Sequence, residues 1–339
     1  MKLKRVGLDL AKNVFQVHGV DEQEQVRCRR QLRRAQVLPF FRQLPPCLIG
    51  MEACGGSHYW ARELGQLGHT VKLMSPQLVK PYIGEQKNDA NDAAGICEAV
   101  GRAKMRFVAV KTVAQQELQV LHRVRSALIG QRTATVNQIR GLLMEFGVVV
   151  GQRIEVLRRA LPEVLEDAEN GLSATMRQTF AGLRQDLVGL DARVAELDGQ
   201  LARVAKNDAA CVRLQTIPGL GPVSATALVG AVGDGRQFKN GRAMAAWLGL
   251  VPRQDSSGGK PRLLGISKRG DRYLRSLLIH GARAVQRTCA NKTDGRSRWL
   301  QALSRRHHKN VATVALANRN ARVAWALLQD DKASYQAPQ

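Results

Sequence analysis

Nowhere in the 339 residues do about 18 apolar residues run together, which excludes a membrane-spanning helix. The opening MKLKRVGLDL lacks the apolar stretch of a signal peptide and passes straight into a strand-like alternation. The six cysteines contain no C-x-x-C pair, which argues against a zinc ribbon and a secreted disulfide framework and for a reducing, cytoplasmic setting. Aromatic side chains are few, 4 Trp, 4 Tyr and 7 Phe, so stacking on splayed bases should be a minor theme. Acidic residues are the scarcest group for their role: 28 stand against 52 Lys and Arg, a formal charge of +24. Such an excess needs a polyanion, and nucleic acid is the leading candidate, because no basic amphipathic anchor helix stands out.

The charge is unevenly spread. Residues 211–339 hold 22 basic and 6 acidic groups, two thirds of the whole excess. Only Asp255, Asp271 and Asp294 interrupt the stretch from Arg236 to Arg322. Solvated surfaces usually mix signs, so this third reads as a phosphate-facing domain.

Hydrophobic patterning divides the chain into three zones. Residues 1–110 read as α/β, a hairpin-rich start followed by alternating strands and helices, which suggests a mixed sheet with helices on its faces. Residues 111–206 read as helical. Leu183, Leu187, Leu190, Val194, Leu197, Leu201 and Val204 form an a/d heptad seam, suited to an antiparallel hairpin within the chain or to a dimeric coiled coil. Pro162 and the Gly147–Gly151 segment should break this zone. Residues 207–339 read as a mainly α, basic domain. There Ile217-Pro218-Gly219-Leu220-Gly221-Pro222 precedes an apolar helix in the manner of a helix-hairpin-helix. Gly219 and Gly221 would offer backbone N–H groups to a phosphate, the plainer alternative being a tight helix–helix turn.

Because acids are rare, their placement carries information. Asp9 lies inside an apolar strand, where an unpartnered carboxylate is costly. Glu52 ends a later strand, and Asp89 and Asp92 share one face at a helix start. Acids from two strands and a helix can meet at one edge of a mixed sheet, where only bound cations would relieve their repulsion. Hard oxygen ligands suit Mg²⁺, and paired Mg²⁺ ions serve phosphodiester chemistry. The plain alternative for Asp89 and Asp92 is that of acids favoured at a helix N-terminus. Cys54, beside Glu52, reads as a small buried residue, His18 and His122 as structural, and His307-His308 as part of a solvated basic helix face.

Three motifs, Val6-Gly7-Leu8-Asp9-Leu10-Ala11-Lys12, Gly50-Met51-Glu52-Ala53-Cys54-Gly55 and Lys87-Asn88-Asp89-Ala90-Asn91-Asp92-Ala93, resemble the acidic motifs of the DEDD transposases of bacterial insertion sequences. That family includes relatives of the Piv-type invertases and is also described as bridge-RNA-guided recombinases. Ile217 to Gly221, Leu250-Val251-Pro252, Ser257-Gly258 and Gly265 to Gly270 resemble its second domain, so the similarity runs from about residue 3 to about residue 326. The resemblance implies an RNase H-like, RuvC-type N-terminal domain in which Asp9, Glu52, Asp89 and Asp92 ligate Mg²⁺. It implies a serine that attacks DNA; by motif position this is Ser257, with Ser256 one residue away as the alternative. Arg253, Lys260 and Arg262 around that serine, and Lys268, Arg269, Arg272 and Arg275 after it, are the expected nucleic-acid contacts. It further implies donor and target DNA as substrates, a structured RNA encoded by the element, dimers that pair into tetramers, and work in the bacterial cytoplasm at the nucleoid. The sequence itself shows no RNA: its basic charge suits DNA alone equally well.

Overall fold

The computed structural model describes residues 2–84 and 88–335. Lys87, quoted in the third acidic motif, lies outside the described residues. The chain forms two compact units, Met1–Val113 and Ala114–Gln339.

The first unit opens with β1 (Arg5–Leu10), β2 (Val14–Val20) and β3 (Val26–Arg33), a meander whose turns fall at Ala11-Lys12-Asn13 and at Asp21 to Gln25. It continues through α1 (Val37–Arg42), β4 (Leu48–Glu52), α2 (Ser57–Gln66), β5 (Thr70–Met74), α3 (Pro76–Val79), α4 (Asp89–Val100) and a short β6 (Phe107–Val108). The sheet order is β3-β2-β1-β4-β5-β6. Strands β1, β4 and β5 are parallel, while β2, β3 and β6 run antiparallel to their neighbours. This is the mixed α/β sheet expected of an RNase H-like transposase domain. Val6, Leu8, Phe15, Val17, Ile49 and Met51 bury one face with Trp60 and Leu64 of α2. The other face receives α4.

Glycine decides how closely α4 approaches. Gly7 of β1 pairs with Gly50 of β4. A Cβ at Gly7 would overlap the backbone of Ala93 and Cys97, and one at Gly50 would lie 2.7 Å from Val100. The two glycines thus form a flat seat for the helix. Arg5 anchors the far end by donating to the carbonyl of Cys97 at 2.9 Å and pairing with Glu98. Residues 5, 7 and 9 therefore meet successively earlier residues of α4, which runs against β1.

In the second unit, α5 (Val113–Glu145), α6 (Ile154–Glu166) and α7 (Ala174–Asn207) form the helical region. Arg125 pairs with Asp198 and Arg132 with Asp191. Seven residues forward on α5 match seven residues back on α7, so the two long helices are antiparallel within one chain. On α7, Leu187, Val194 and Leu201 are buried, whereas Leu183, Leu190, Leu197 and Val204 are half-buried. The Gly147–Gly151 segment does separate α5 from α6. Pro162, expected to break the zone, instead sits inside α6. The missing backbone donor is offset there by burial of Leu157 and Leu161 against Leu143 and Phe180. The break falls at 167–173, where Asn170 and Gly171 turn the chain.

The remainder comprises α8 (Ala209–Gln215), α9 (Pro222–Val232), α10 (Gly241–Trp247), the hairpin β7 (Pro252–Gln254) and β8 (Leu263–Ile266), α11 (Arg272–Thr288), α12 (Gly295–Arg306) and α13 (Lys309–Gln329). One apolar core joins all six helices. His307 and His308 do not lie on a helix face as expected. His307 ends α12, and His308 caps α13 by accepting from the amide of Asn310.

His122 ties α5 to this core. Thr226 donates to the Pro222 carbonyl at 2.8 Å, so it accepts from His122 Nε2; Nδ1 is then the acceptor for the Tyr273 hydroxyl, each at 3.0 Å. That network uses a neutral ring. Burial, and then the charge of Arg125, push its pKa down to about 4. Between pH 6.5 and about 4 the unfolded chain holds a proton on this ring that the folded chain does not. Stability contributed by the neutral ring is therefore complete above pH 6.5 and is lost as pH falls toward 4. Urea unfolding is expected to show a loss of about 3 kcal/mol from this group across that range, and His122→Gln should flatten it.

Candidate active site

Asp9 is on the α4 face of β1, two residues beyond Gly7, while Val6 and Leu8 point into the opposite core. Asn88 caps α4 by accepting from the amide of Asn91 at 2.8 Å, which fixes Asp89 and Asp92 in the first helical turn. The seating of α4 on Gly7 and Gly50 brings this turn to the end of β1. Carboxylate oxygens of Asp9, Asp89 and Asp92 consequently lie within 4.8 Å of one another. Among the described residues, neither Asp89 nor Asp92 has an ion pair with Lys or Arg. Acids at a helix start need no metal, each being favoured by about 0.3–1 kcal/mol. A third carboxylate from a strand changes the balance, because three like charges at this spacing repel unless protons or cations intervene.

Glu52 is not part of that tight group. It occupies the end of β4, two residues past Gly50 on the same face. Extending the Gly7–Gly50 register by two residues sets it opposite Asp9 on the neighbouring strand. The electrostatics of Cys54 place both acids nearby. Its thiol is raised by desolvation, then by the charges of Glu52 and Asp9. Cys54 is exposed, where sequence patterning suggests a buried residue, and its raised pKa keeps it a poor nucleophile.

A basic ledge adjoins the acids. β-register aligns Asp9 with Gln16 and Gln31, and Gly7 with His18 and Arg29. Gln16, His18, Arg29, Arg30, Gln31 and Asn91 line one groove of about 270 Å³ beside the start of α4. Burial, followed by Arg29 and Arg5, lowers the pKa of His18, so it is neutral near pH 7 and leaves Arg29 as the cation of that row. Period-two alternation places Gln16 and His18 on one face of β2; it does not say which strands stand beside it, so sequence reading misses the ledge.

The serine candidates sit in the second unit, in the loop of the β7–β8 hairpin. Gly258 and Gly259 both have positive φ, +55° and +75°, and the Lys260 amide donates to the Ser257 carbonyl at 3.0 Å. These are the features of a type I′ turn, which glycine makes without strain. Ser257 is exposed at the entry to this turn. The Ser256 hydroxyl accepts from the Arg262 amide and the Gln254 side chain, both at 3.0 Å, and so stitches the hairpin together. Among the described residues the Ser257 hydroxyl has no such bond.

The other sequence candidates divide by exposure. Arg253, Lys260, Arg262, Lys268, Arg269 and Arg272 are exposed. Arg275 is turned inward, 9 % exposed, and donates to the carbonyls of Leu248 and Arg269 at 3.1 and 3.0 Å. It braces the segment that displays Lys268 and Arg269. Gly219 has φ +93°, and a Cβ there would lie 2.7 Å from the Gly281 carbonyl, so this glycine serves a close passage against α11. Gly221 is the exposed N-cap of α9.

Comparison with known proteins matches both units. Residues 6–147 fit a family model for DEDD transposases, and residues 211–310 fit one described as the transposase family IS116/IS110/IS902. A probable family 20 transposase of Pseudomonas aeruginosa is 58% identical over 329 residues, covering 97% of each chain. The transposase for insertion sequence element IS1111A of Coxiella burnetii is 46% identical, over 96% of this chain and 90% of its own. The transposase for insertion sequence element IS1328 of Yersinia enterocolitica is 40% identical, over 95% and 96%.

Proposed function

The chain belongs to the IS116/IS110/IS902 family of transposases, and from that premise we propose that it cuts and rejoins DNA with an acidic, Mg²⁺-binding centre and a serine nucleophile. The observation that carries this reading is the meeting of Asp9, Asp89 and Asp92 at the end of β1. Their donor set is all hard oxygen, which fits Mg²⁺ and offers nothing to a softer metal. Asp9, Asp89 and Asp92, with Glu52 from the adjacent strand, would hold the metal. When bound, it supplies charge stabilisation at the phosphate and a more acidic attacking group. Arg29 on the neighbouring ledge would hold the phosphodiester backbone in register with the acids.

Ser257 is the nucleophile in this reading, and its free, exposed hydroxyl supports it over Ser256. Its Oγ forms an ester bond to a DNA phosphorus, and the deoxyribose oxygen on that phosphorus leaves with a proton. Attack by a deoxyribose hydroxyl of another strand reverses the step and frees the serine. The exposed Arg253, Lys260 and Arg262 bracket the reacting phosphate. The parts taken from the family resemblance are an element-encoded RNA that pairs with donor and target DNA, and protomers that contribute acids and serine to one another. In that arrangement the half-buried row Leu183, Leu190, Leu197 and Val204 would serve coiled-coil dimerisation. Functionally the chain then reads as a catalytic region 1–110, a helical dimerisation region 111–206 and a basic serine-bearing region 207–339. No described helix is long and apolar enough to cross a membrane.

Two results test the reading. Cleavage of the insertion element's ends is expected with Mg²⁺ and to be lost in EDTA; equal rates in both would contradict it. DNA affinity should fall steeply between about 50 and 200 mM salt as phosphate counterions are released. Charge reversal at Lys268 and Arg269 should weaken all sequences alike and reduce the salt slope by about one per phosphate contact removed. A flat salt dependence would contradict backbone-dominated binding.

A further inference from the structure

Aromatic residues are rare in this chain, yet two of its 4 Trp meet in one place. Trp299 of α12 and Trp325 of α13 line a groove of about 800 Å³ together with Arg242 of α10 and Arg319, Arg322 and Asn318 of α13. The α13 residues are spaced three and four apart, so one helix face presents them. None of the lining residues is acidic. Among the described residues, none of the three arginines forms an ion pair, in a protein where many other arginines do.

The groove is also braced. Trp325 Nε1 donates to the Gly235 carbonyl at 3.2 Å, and Asn318 Nδ2 donates to the Leu250 carbonyl at 3.1 Å. The Arg319 guanidinium lies over the Trp299 ring, 5.2 Å from its centroid. A guanidinium held over an indole offers a stacking platform, since a base laid on it extends the same stack. Arg242 and Arg322, both exposed, supply the charge for phosphates on either side.

We propose that this groove binds an unpaired stretch of nucleic acid, with a base on the Arg319–Trp299 stack and flanking phosphates on Arg242 and Arg322. A duplex keeps its base faces inside its own stack and would use Arg242 and Arg322 alone; an unpaired strand uses both halves of the site. DNA and RNA single strands share this chemistry. The proposal rests on the reading of the chain as a nucleic-acid enzyme, but it needs neither the acids nor the serine.

The test uses the full chain and fluorescently labelled short oligonucleotides of one sequence as single-stranded DNA, single-stranded RNA and duplex DNA. Trp299→Ala and Arg319→Ala are each expected to weaken at least one single strand about tenfold while changing duplex affinity less than about twofold. Loss confined to RNA or to DNA identifies the occupant, and loss of both assigns the site to either. Arg319→Lys keeps the charge and loses the planar stack, so it should retain the salt slope and lose affinity. Should Trp299→Ala fail to fold, the exposed pair Arg242→Ala and Arg322→Ala carries the test: the single-strand salt slope should fall by about 0.7 per phosphate released. Unchanged single-strand binding in the folded variants overturns the proposal. So does an equal loss for duplex and for heparin, which would make the groove a general polyanion patch. Strand cleavage by Asp9 and Asp92 variants is read in parallel. Dispensable acids would overturn the catalytic reading and leave the groove standing, while groove variants that bind normally would overturn the groove alone.

Discussion

Asp9→Ala and Asp92→Ala are each expected to cut strand cleavage about a thousandfold or more while leaving the fold and nucleic-acid affinity close to those of the parent. The size follows from what a ligand to a catalytic cation contributes. Several kcal/mol of charge stabilisation are withdrawn from the transition state, and each 1.36 kcal/mol is tenfold in rate. The sparing of the fold follows from the cluster itself. Asp9, Asp89 and Asp92 lie within 4.8 Å of one another outside the apolar core, so truncating one opens no core cavity and removes a like charge from its neighbours. Without Mg²⁺, thermal unfolding of either variant should come at the same temperature as the parent or slightly higher; with Mg²⁺, the parent alone should gain stability, because only an intact site binds the ion to the native state. Glu52→Gln should follow the same direction, since it shares the face of Asp9 one strand away. A variant at Asp9 that unfolds, or that cleaves at parental rate, would remove the acids from the chemistry.

Most of this centre was legible from residue order. An aspartate inside an apolar strand has no comfortable structural explanation, which singles out Asp9. Asp89 and Asp92, three apart after a capping asparagine, had to share a helix face. The elements follow the alternation closely: residues 1–110 form the hairpin-rich start and the alternating strands and helices that the patterning suggests. What residue order could not give was lateral neighbourhood. It could not show that Gly7 and Gly50 lie side by side as a seat for α4, nor that Arg29 stands in the row beside Asp9, because pairing partners are set by the whole sheet. It also misjudged Pro162, where the local cost of a proline was outweighed by the burial of Leu157 and Leu161. Arg275 illustrates a further limit, for a basic residue in a basic run looks like a phosphate contact until its carbonyl partners are seen. The Trp299–Arg319 stack depends on α12 packing against α13 and was likewise invisible.

Ser257→Ala is expected to abolish recombination with DNA affinity retained, whereas Ser256→Ala should recombine on a looser hairpin. The two hydroxyls differ in what they already do. Ser256 is committed to the Arg262 amide and the Gln254 side chain, and its loss would free one backbone donor at the cost of about 1 kcal/mol locally. Ser257 stands exposed at the entry to the Gly258-Gly259 turn with its hydroxyl uncommitted among the described residues. A hydroxyl is a weak nucleophile until activated, so the effect of removing it should match that of removing an acid, and the double variant Asp9→Ala with Ser257→Ala should be no worse than either alone. Independent, multiplying losses would mean that acids and serine act in separate steps.

The most direct measurement is the search for protein joined to DNA. The full chain is incubated with Mg²⁺, a nicked or mismatched end of its insertion element and the RNA that element encodes, then denatured and separated by mass. A serine that conserves the phosphodiester bond in an ester must leave a fraction of the chain covalently attached to a DNA end, with the modified peptide containing Ser257. That adduct should vanish in Ser257→Ala and in EDTA, and persist in Ser256→Ala. Cut DNA carrying no protein, at parental rate in Ser257→Ala and still dependent on the acids, would contradict the account and make the chain a hydrolytic nuclease.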